Sequence, residues 1–298
     1  MISLVICSRD KSLSANLRAN VELTIGVDFE FICIDNSNNE FGIAQAYNRG
    51  GAQAKFPFIC FVHEDVIFHT LNWGKAIIKH FESDADLGMI GVAGGSYKSL
   101  APSSWFPLVT YGPVAPTHKR IWQHTKNGNI FEDLHSNSSG TIRVACLDGV
   151  WLCCKKDLWE KVRFDESLPG FHCYDVDFSI SINKLAKVVV INDILIEHLS
   201  LGNYNGAWVK TTYMLHRKWN RELPINYSPL MENERFQIEV QSRERFLQLM
   251  RDEKLSPISI LFVIWGKGSF RFFSGRKFCK WNIDWLKYLI KYWNGKVF

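Results

Sequence analysis

Four apolar runs, ISLVIC (2–7), FEFICI (29–34), FPFICFV (56–62) and LGMIGVA (87–93), alternate with stretches of helical character at 13–23, 42–54 and 71–82. In the last of these Trp73, Ile77, Ile78 and Phe81 recur at helical spacing. Strands that alternate with helices must pair in parallel and be covered on both faces, so an α/β fold with a mostly parallel central sheet is expected. Two further runs, RVACLDGVWLCC (143–154) and KVVVIN (187–192), extend that sheet. The chain has 298 residues and is 47% hydrophobic, enough to bury a full core. Ligands of such sheets bind beyond the carboxyl ends of the strands. Ser8 and Arg9, Asp35 and Asn36, and His63 to Asp65 then share one rim.

The run FICFVHEDVIF (58–68) sharpens this reading, because an apolar strand here ends in three polar side chains before apolar residues resume. Carboxylates at the rim of a parallel sheet suit a hard divalent cation, and such a cation escorts phosphate. A nucleoside diphosphate is the implied cargo. In an alternating strand end Glu64 faces away from Asp65 and has a structural role. Further acids and histidines stand in FHCYDVDFSI (171–180) and IEHLSLG (196–202). For any one of these acids the competing reading is a helix cap or a surface ion pair.

Other features exclude function classes. CSRDKSL after the first strand has no glycine, against the phosphate loop of a sugar-phosphate nucleotidylyltransferase. GVAGGS (91–96) is no dinucleotide fingerprint. Nucleic acid is not an expected partner. The eight cysteines lack paired metal spacings and read as buried, reduced thiols, which with the missing signal sequence implies a cytoplasmic protein and leaves the sequons at Asn137 and Asn226 little weight. Residues 94–142, rich in Gly, Pro, Ser and His, read as a long lid or insert. Beyond 204 the pattern turns helical, interrupted by ELPINYSPL (222–230).

The runs IDNSNNEFGIAQAYNRGGAQAKFPFICFVHEDVIF, LDGVWLCCKKDLW and FDESLPGFHCYDVDFSI resemble the glycosyltransferase family 2 group of GT-A nucleotide-sugar transferases, over about residues 1–205 and in the family's order. The resemblance implies a GT-A domain at 1–205 and a helical extension at 206–298. It makes Asp65 the metal-holding carboxylate of the D-x-D element, with His63 in place of the first acid, and His198 a second group reaching the metal, Mn²⁺ or Mg²⁺. It puts Asp35 on the nucleobase or ribose, Ser8 and Arg9 beside the base, and Asn48 of the A-x-N-x-G element on the donor side. Asp175 aligns with the base that deprotonates the acceptor, Tyr174 replacing the family's Glu before it. Asp148, Trp151 and Asp177 fall on the acceptor side. The function so implied is inverting, metal-dependent hexosyl transfer from a nucleoside-diphosphate sugar, a UDP-sugar favoured, to a hydroxyl of a glycan or lipid-linked acceptor in polysaccharide synthesis. A non-catalytic sugar-nucleotide or glycan-binding protein on the same fold is the alternative, since His63 and Tyr174 replace two usual acids.

Charge is concentrated at the end of the chain. Residues 254–298 hold nine Lys or Arg against the single acid Asp284, while the whole chain carries a net +5. In WNIDWLKYLIKYW (281–293) helical spacing gathers Trp281, Trp285, Tyr288, Leu289, Tyr292 and Trp293 on one face, opposite Asp284, Lys287 and Lys291. That face predicts either peripheral contact with the inner face of a membrane or packing on the protein or on a second copy of it. The apolar run ILFVIW is too short to span a bilayer.

Overall fold

A computed structural model describes residues 1–110, 116–124, 140–200, 202, 204–266 and 275–295, and 130–134 as backbone. Asn137 and residues 267–274 of the basic tail lie outside the described residues. The chain forms two compact units: Met1–Ser96 with Thr117–Gly202, and Tyr97–Pro116 with Asn203–Phe298.

The first unit opens with β1 (Ile2–Ser8), α1 (Lys11–Thr24), β2 (Phe29–Asp35), α2 (Ile43–Gln53), β3 (Phe58–Val62), β4 (Val66–Phe68), α3 (Trp73–Ser83), β5 (Leu87–Gly91) and β6 (Ala93–Gly95). After β7 (Tyr97–Lys98), which belongs to the second unit, it continues with β8 (Thr117–His124), β9 (Ile130–Leu134), β10 (Thr141–Arg143), β11 (Cys146–Leu147), β12 (Trp151–Lys155), α4 (Lys156–Val162), α5 (Tyr174–Asn183), β13 (Lys187–Ile191) and β14 (Ile196–His198). The main sheet has seven strands in the order β10-β13-β5-β12-β3-β1-β2. β2, β1, β3, β5 and β13 run one way, and β12 and β10 run against them. Five of its seven strands thus share one direction, as the alternation of strands and helices leads one to expect, within a mixed sheet.

The central strand shows why both faces are covered. β1 is buried along its whole length. Its side chains alternate, so Leu4 and Ile6 pack with Leu17, Val21, Trp73 and Ile77 of α1 and α3, while Val5 and Cys7 pack with Ala44 and Tyr47 of α2 and Phe178 of α5. Helix α2 lies close on the sheet because Gly50 and Gly51 lack side chains. A Cβ on Gly50 would stand 2.2 Å from Val5 Cγ1, and one on Gly51 2.5 Å from the Trp159 ring. Helix α1 is capped by Asp10, whose carboxylate accepts from the Ser12 and Leu13 amides. A second sheet, β11-β6-β8-β14-β4 with β9 on β8, brings β4 and β14 together beside the rim of the first.

The stretch 94–142 therefore holds β8, β9 and part of β6 and β10 within the first unit, while 97–116 goes to the second. That second unit contains α6 (Gly206–Lys218), β15 (Ile225–Asn226), α7 (Glu232–Asp252), α8 (Pro257–Ile264) and α9 (Gly275–Trp293), with β15 pairing β7. Buried polar contacts tie 97–104 to it. Tyr97 Oη donates to Glu239 at 2.6 Å, and Glu239 also accepts from the Leu100 and Ala101 amides, both at 2.7 Å. Lys98, fully buried, donates to Ser103 and Ser104 carbonyls and meets His216 Nε2 at 2.8 Å. Trp208, Phe246, Leu247, Met250, Trp281 and Tyr288 form the unit's core. The aromatic face read from the sequence is accordingly turned inward at Trp281 and Tyr288, and only Trp293 of that set is largely exposed. All eight cysteines are free thiols, but Cys33 and Cys279 are exposed rather than buried.

Candidate active site

The strand ends meet where β3, β12, β14 and the start of α5 converge. His63, just past β3, donates its amide to the Val150 carbonyl at 3.1 Å, and its ring approaches the His198 ring at 5.6 Å between centroids. His63, Asp65 and His198 bring ligand atoms within 4.8 Å of one another. His198 Nε2 stands 3.5 Å from Asp65 Oδ1. Burial pushes the Asp65 carboxyl up, but hydrogen bonding and charge from His198, then His63 and Ser200, outweigh it and hold the group well below the usual carboxylate range.

Hydrogen bonds orient both imidazoles. Tyr174 Oη donates to the Gly149 carbonyl at 3.1 Å, so its oxygen receives the proton of His63 Nε2 at 2.8 Å. That leaves the lone pair of His63 on Nδ1. His198 Nδ1 faces the acceptor Gln123 Oε1 at 3.0 Å and donates to it, so Nε2 is the nitrogen that meets Asp65. Burial, then the neighbouring His198, lowers the His63 pKa and keeps its ring neutral. Two imidazoles with second-sphere partners and one carboxylate form a donor set that fits a transition metal such as Mn²⁺ better than Mg²⁺.

Asp175 lies in the first turn of α5, where the helix dipole and the Gly149 amide, 3.0 Å from Oδ2, stabilise its charged form. Burial, reinforced by the charge of Asp148, outweighs these and pushes its pKa up to about 7. Asp148 accepts the Val150 amide at 2.8 Å. Gly149 sits between these groups because nothing larger fits: a Cβ there would stand 2.1 Å from Tyr174 Oη. Tyr174 thus links the histidines to the Asp175 loop, a role that its place in a motif, as a substituted acid, does not announce.

The remaining residues singled out from the sequence are placed differently. Glu64 turns away from Asp65 and accepts from Ser8 Oγ at 2.7 Å and from the Arg9 and Asp10 amides at 3.0 Å, closing the turn between β1 and α1. The Ser8 hydroxyl is thereby spent on Glu64. Arg9 is exposed and stacks over Phe171 at 5.1 Å. Asp35 is exposed at the end of β2, accepts the Ser37 amide and lies 3.9 Å from Lys11. Three of the residues lie in the interior. Asn48 is buried and uses its amide on the Phe164 backbone and on Glu166, so it fastens the loop before α5. Trp151 is fully buried in the core against Phe68 and Trp73, so no sugar can stack on it. Asp177, in the same first turn of α5 as Asp175, is 1% exposed.

Residues 3–222 match the glycosyltransferase like family. The chain belongs to that family. No curated protein matches it. Among solved structures, residues 1–349 of TarS from S. aureus share 13% identity at a TM-score of 0.50, covering 99% of this chain and 91% of that one. The TarS structure that is not so truncated gives 11% identity and a TM-score of 0.53, and this chain, covered to 98%, spans 54% of its length. A mannosyltransferase from Pyrobaculum calidifontis, PcManGT, in complex with GDP-Man and Mn²⁺, shares 12% identity at a TM-score of 0.51, covering 98% of this chain and 85% of that one. At these identities the likeness is one of fold: this glycosyltransferase-like chain has the GT-A architecture.

Proposed function

We propose that this chain is an inverting, metal-dependent glycosyltransferase that moves a sugar from a nucleoside-diphosphate sugar to a hydroxyl of a glycan or lipid-linked acceptor. The observation that carries the reading is the hydrogen-bonded path from the His63, Asp65 and His198 cluster through Tyr174 and Gly149 to a carboxyl, Asp175, whose pKa is raised to about 7. A base poised near neutral pH takes the acceptor proton as the hydroxyl attacks, and a single displacement of that kind inverts the anomeric centre.

His63 Nδ1, His198 Nε2 and an Asp65 oxygen would hold the divalent cation. When bound, it would neutralise charge developing on the departing diphosphate. Asp148 keeps Asp175 basic, Tyr174 fixes the His63 proton on Nε2, and Gln123 orients His198. Asp35 and Arg9, exposed at the ends of β2 and β1, are the groups proposed to meet the base and ribose, which favours a UDP-sugar through acceptance from its imide. PcManGT holds GDP-Man with Mn²⁺ and TarS has been captured with UDP-GlcNAc, which supports a nucleotide-sugar donor on this architecture.

The test is release of nucleoside diphosphate from a panel of UDP- and GDP-sugars with Mn²⁺, with and without EDTA. Asp65→Ala should lose both Mn²⁺-dependent nucleotide binding and turnover. Undiminished turnover in EDTA would defeat the metal assignment, and tight donor binding without turnover on any acceptor would favour the non-catalytic alternative.

A further inference from the structure

Helix α9 has three faces where an ordinary surface helix has two. One face is core: Trp281 and Tyr288 are buried, Trp285 Nε1 donates to the Pro257 carbonyl at 2.8 Å and Tyr288 Oη to the Leu255 carbonyl at 2.8 Å. At 3.6 residues per turn, Ile283, Leu286, Ile290 and Trp293 fall in a second stripe beside it. All four are exposed, from 49% for Leu286 to 82% for Trp293. Arg276, Lys280, Lys287 and Lys291 fall in a third stripe bordering the second, also exposed.

The apolar stripe continues onto α8. Ile258, Phe262 and Trp265 lie within one narrow arc of that helix and its C-cap, each more than half exposed, while Ile260 and Ile264 are buried behind them. Trp265 joins the two helices: its ring stacks edge-on against Phe278 at 4.9 Å and its Nε1 donates to Asn282 Oδ1 at 3.0 Å. Asn282 lies on the border between the buried face of α9 and its exposed apolar stripe. The order across the surface is therefore α8 apolar, α9 apolar, α9 basic. A contiguous exposed apolar patch of this kind marks an interaction site.

We propose that this patch docks on the surface of an anionic lipid bilayer, independently of the transfer reading. Apolar side chains that include two tryptophans would enter the headgroup and acyl boundary, and the adjoining basic stripe would meet the anionic headgroups. The charge favours this occupant: the sequence from 254 to 298 has nine Lys or Arg and one acid, Asp284, which lies on the far edge of the basic stripe, and within that stripe Lys280 pairs with Glu244 of α7 at 3.2 Å. A second copy of the chain would bring an equally basic stripe against this one. No described helix is long and apolar enough to cross a membrane, so the contact is lateral.

The experiment is co-sedimentation of the full chain with vesicles of phosphatidylglycerol and phosphatidylcholine, against phosphatidylcholine alone, at low and high salt. The chain should pellet with the anionic vesicles at low salt. Leu286→Glu/Ile290→Glu should stay in the supernatant with an unchanged thermal midpoint. Trp293→Ser, at the last residue of the helix, should lose several-fold in partitioning and guards against a folding defect in the double variant. Lys287→Gln/Lys291→Gln should lose about 30-fold on anionic vesicles, since each lysine near such a surface contributes about 1 kcal/mol. Failure of the wild-type chain to pellet, or pelleting of the Glu variant as well as wild type, overturns the proposal. So does light scattering that shows a wild-type dimer converted to monomer by Leu286→Glu/Ile290→Glu, which would identify a second copy as the occupant.

Discussion

Asp175 and Tyr174 are neighbours in sequence with opposite tasks, one titrating and one holding a proton in place. With its pKa raised to about 7, Asp175 in the proposed role of base is competent only above that pH, so kcat/KM should fall about tenfold per pH unit below about 7. Asp148→Asn removes the second contributor to that shift and should move the inflection to lower pH, as a pH–rate profile would show. Asp175→Asn should retain donor binding and lose roughly two to four orders of magnitude in transfer, the range typical of a lost general base. The same group has a signature in stability. Between the unfolded value of about 4 and about 7 the folded state holds a proton that the unfolded chain has released, so this stabilisation is lost as pH rises through that window. Denaturant unfolding at pH 5 and pH 8 should show a difference that Asp175→Asn removes. Tyr174→Phe leaves the ring in place but frees the His63 tautomer, and should weaken Mn²⁺ binding by about 10- to 100-fold in calorimetric titration.

Among elements, the strands and helices of the first unit were legible because each carries its own period: ISLVIC is β1 but for one residue, and FEFICI ends one residue before β2 does. Alternation also sufficed to turn Glu64 away from Asp65. What alternation does not reveal is which face of LDGVW is core, and Trp151 went to the core because Phe68 and Trp73 meet it there from β4 and α3. Trp151→Ala should accordingly cost about 3–5 kcal/mol of stability with no specific effect on acceptor KM. Nor does alternation reveal the contacts of Asn48: its partners Phe164 and Glu166 lie more than a hundred residues downstream, and no local spacing announces them. The glycine of the same motif has a packing task. Gly50→Ala places a Cβ 2.2 Å from Val5 Cγ1, and overpacking of about 1–3 kcal/mol should exceed the gain in helix propensity of about 0.5–1 kcal/mol, a net loss measurable by urea unfolding. In α9 the helical period was legible, but the burial of its aromatic face depends on α8, a separate helix.

For the whole molecule, donor and cation should stabilise the fold together. At a free UDP-sugar concentration a hundred times its Kd the gain is about 2.7 kcal/mol, visible as a rise in melting temperature with Mn²⁺ that EDTA abolishes. A rise unaffected by EDTA would count against the cluster of His63, Asp65 and His198 as the cation's seat. The path of the chain has a consequence of its own. It passes from one compact unit to the other at 96–97, 116–117 and 202–203, and residues 97–104 are fastened by buried hydrogen bonds to α6 and α7. No single cut yields both units intact: a fragment ending near residue 205 keeps Lys98 and Tyr97 while discarding His216 and Glu239, which satisfy them. A gene fusion made at one joint therefore cannot transplant either unit alone.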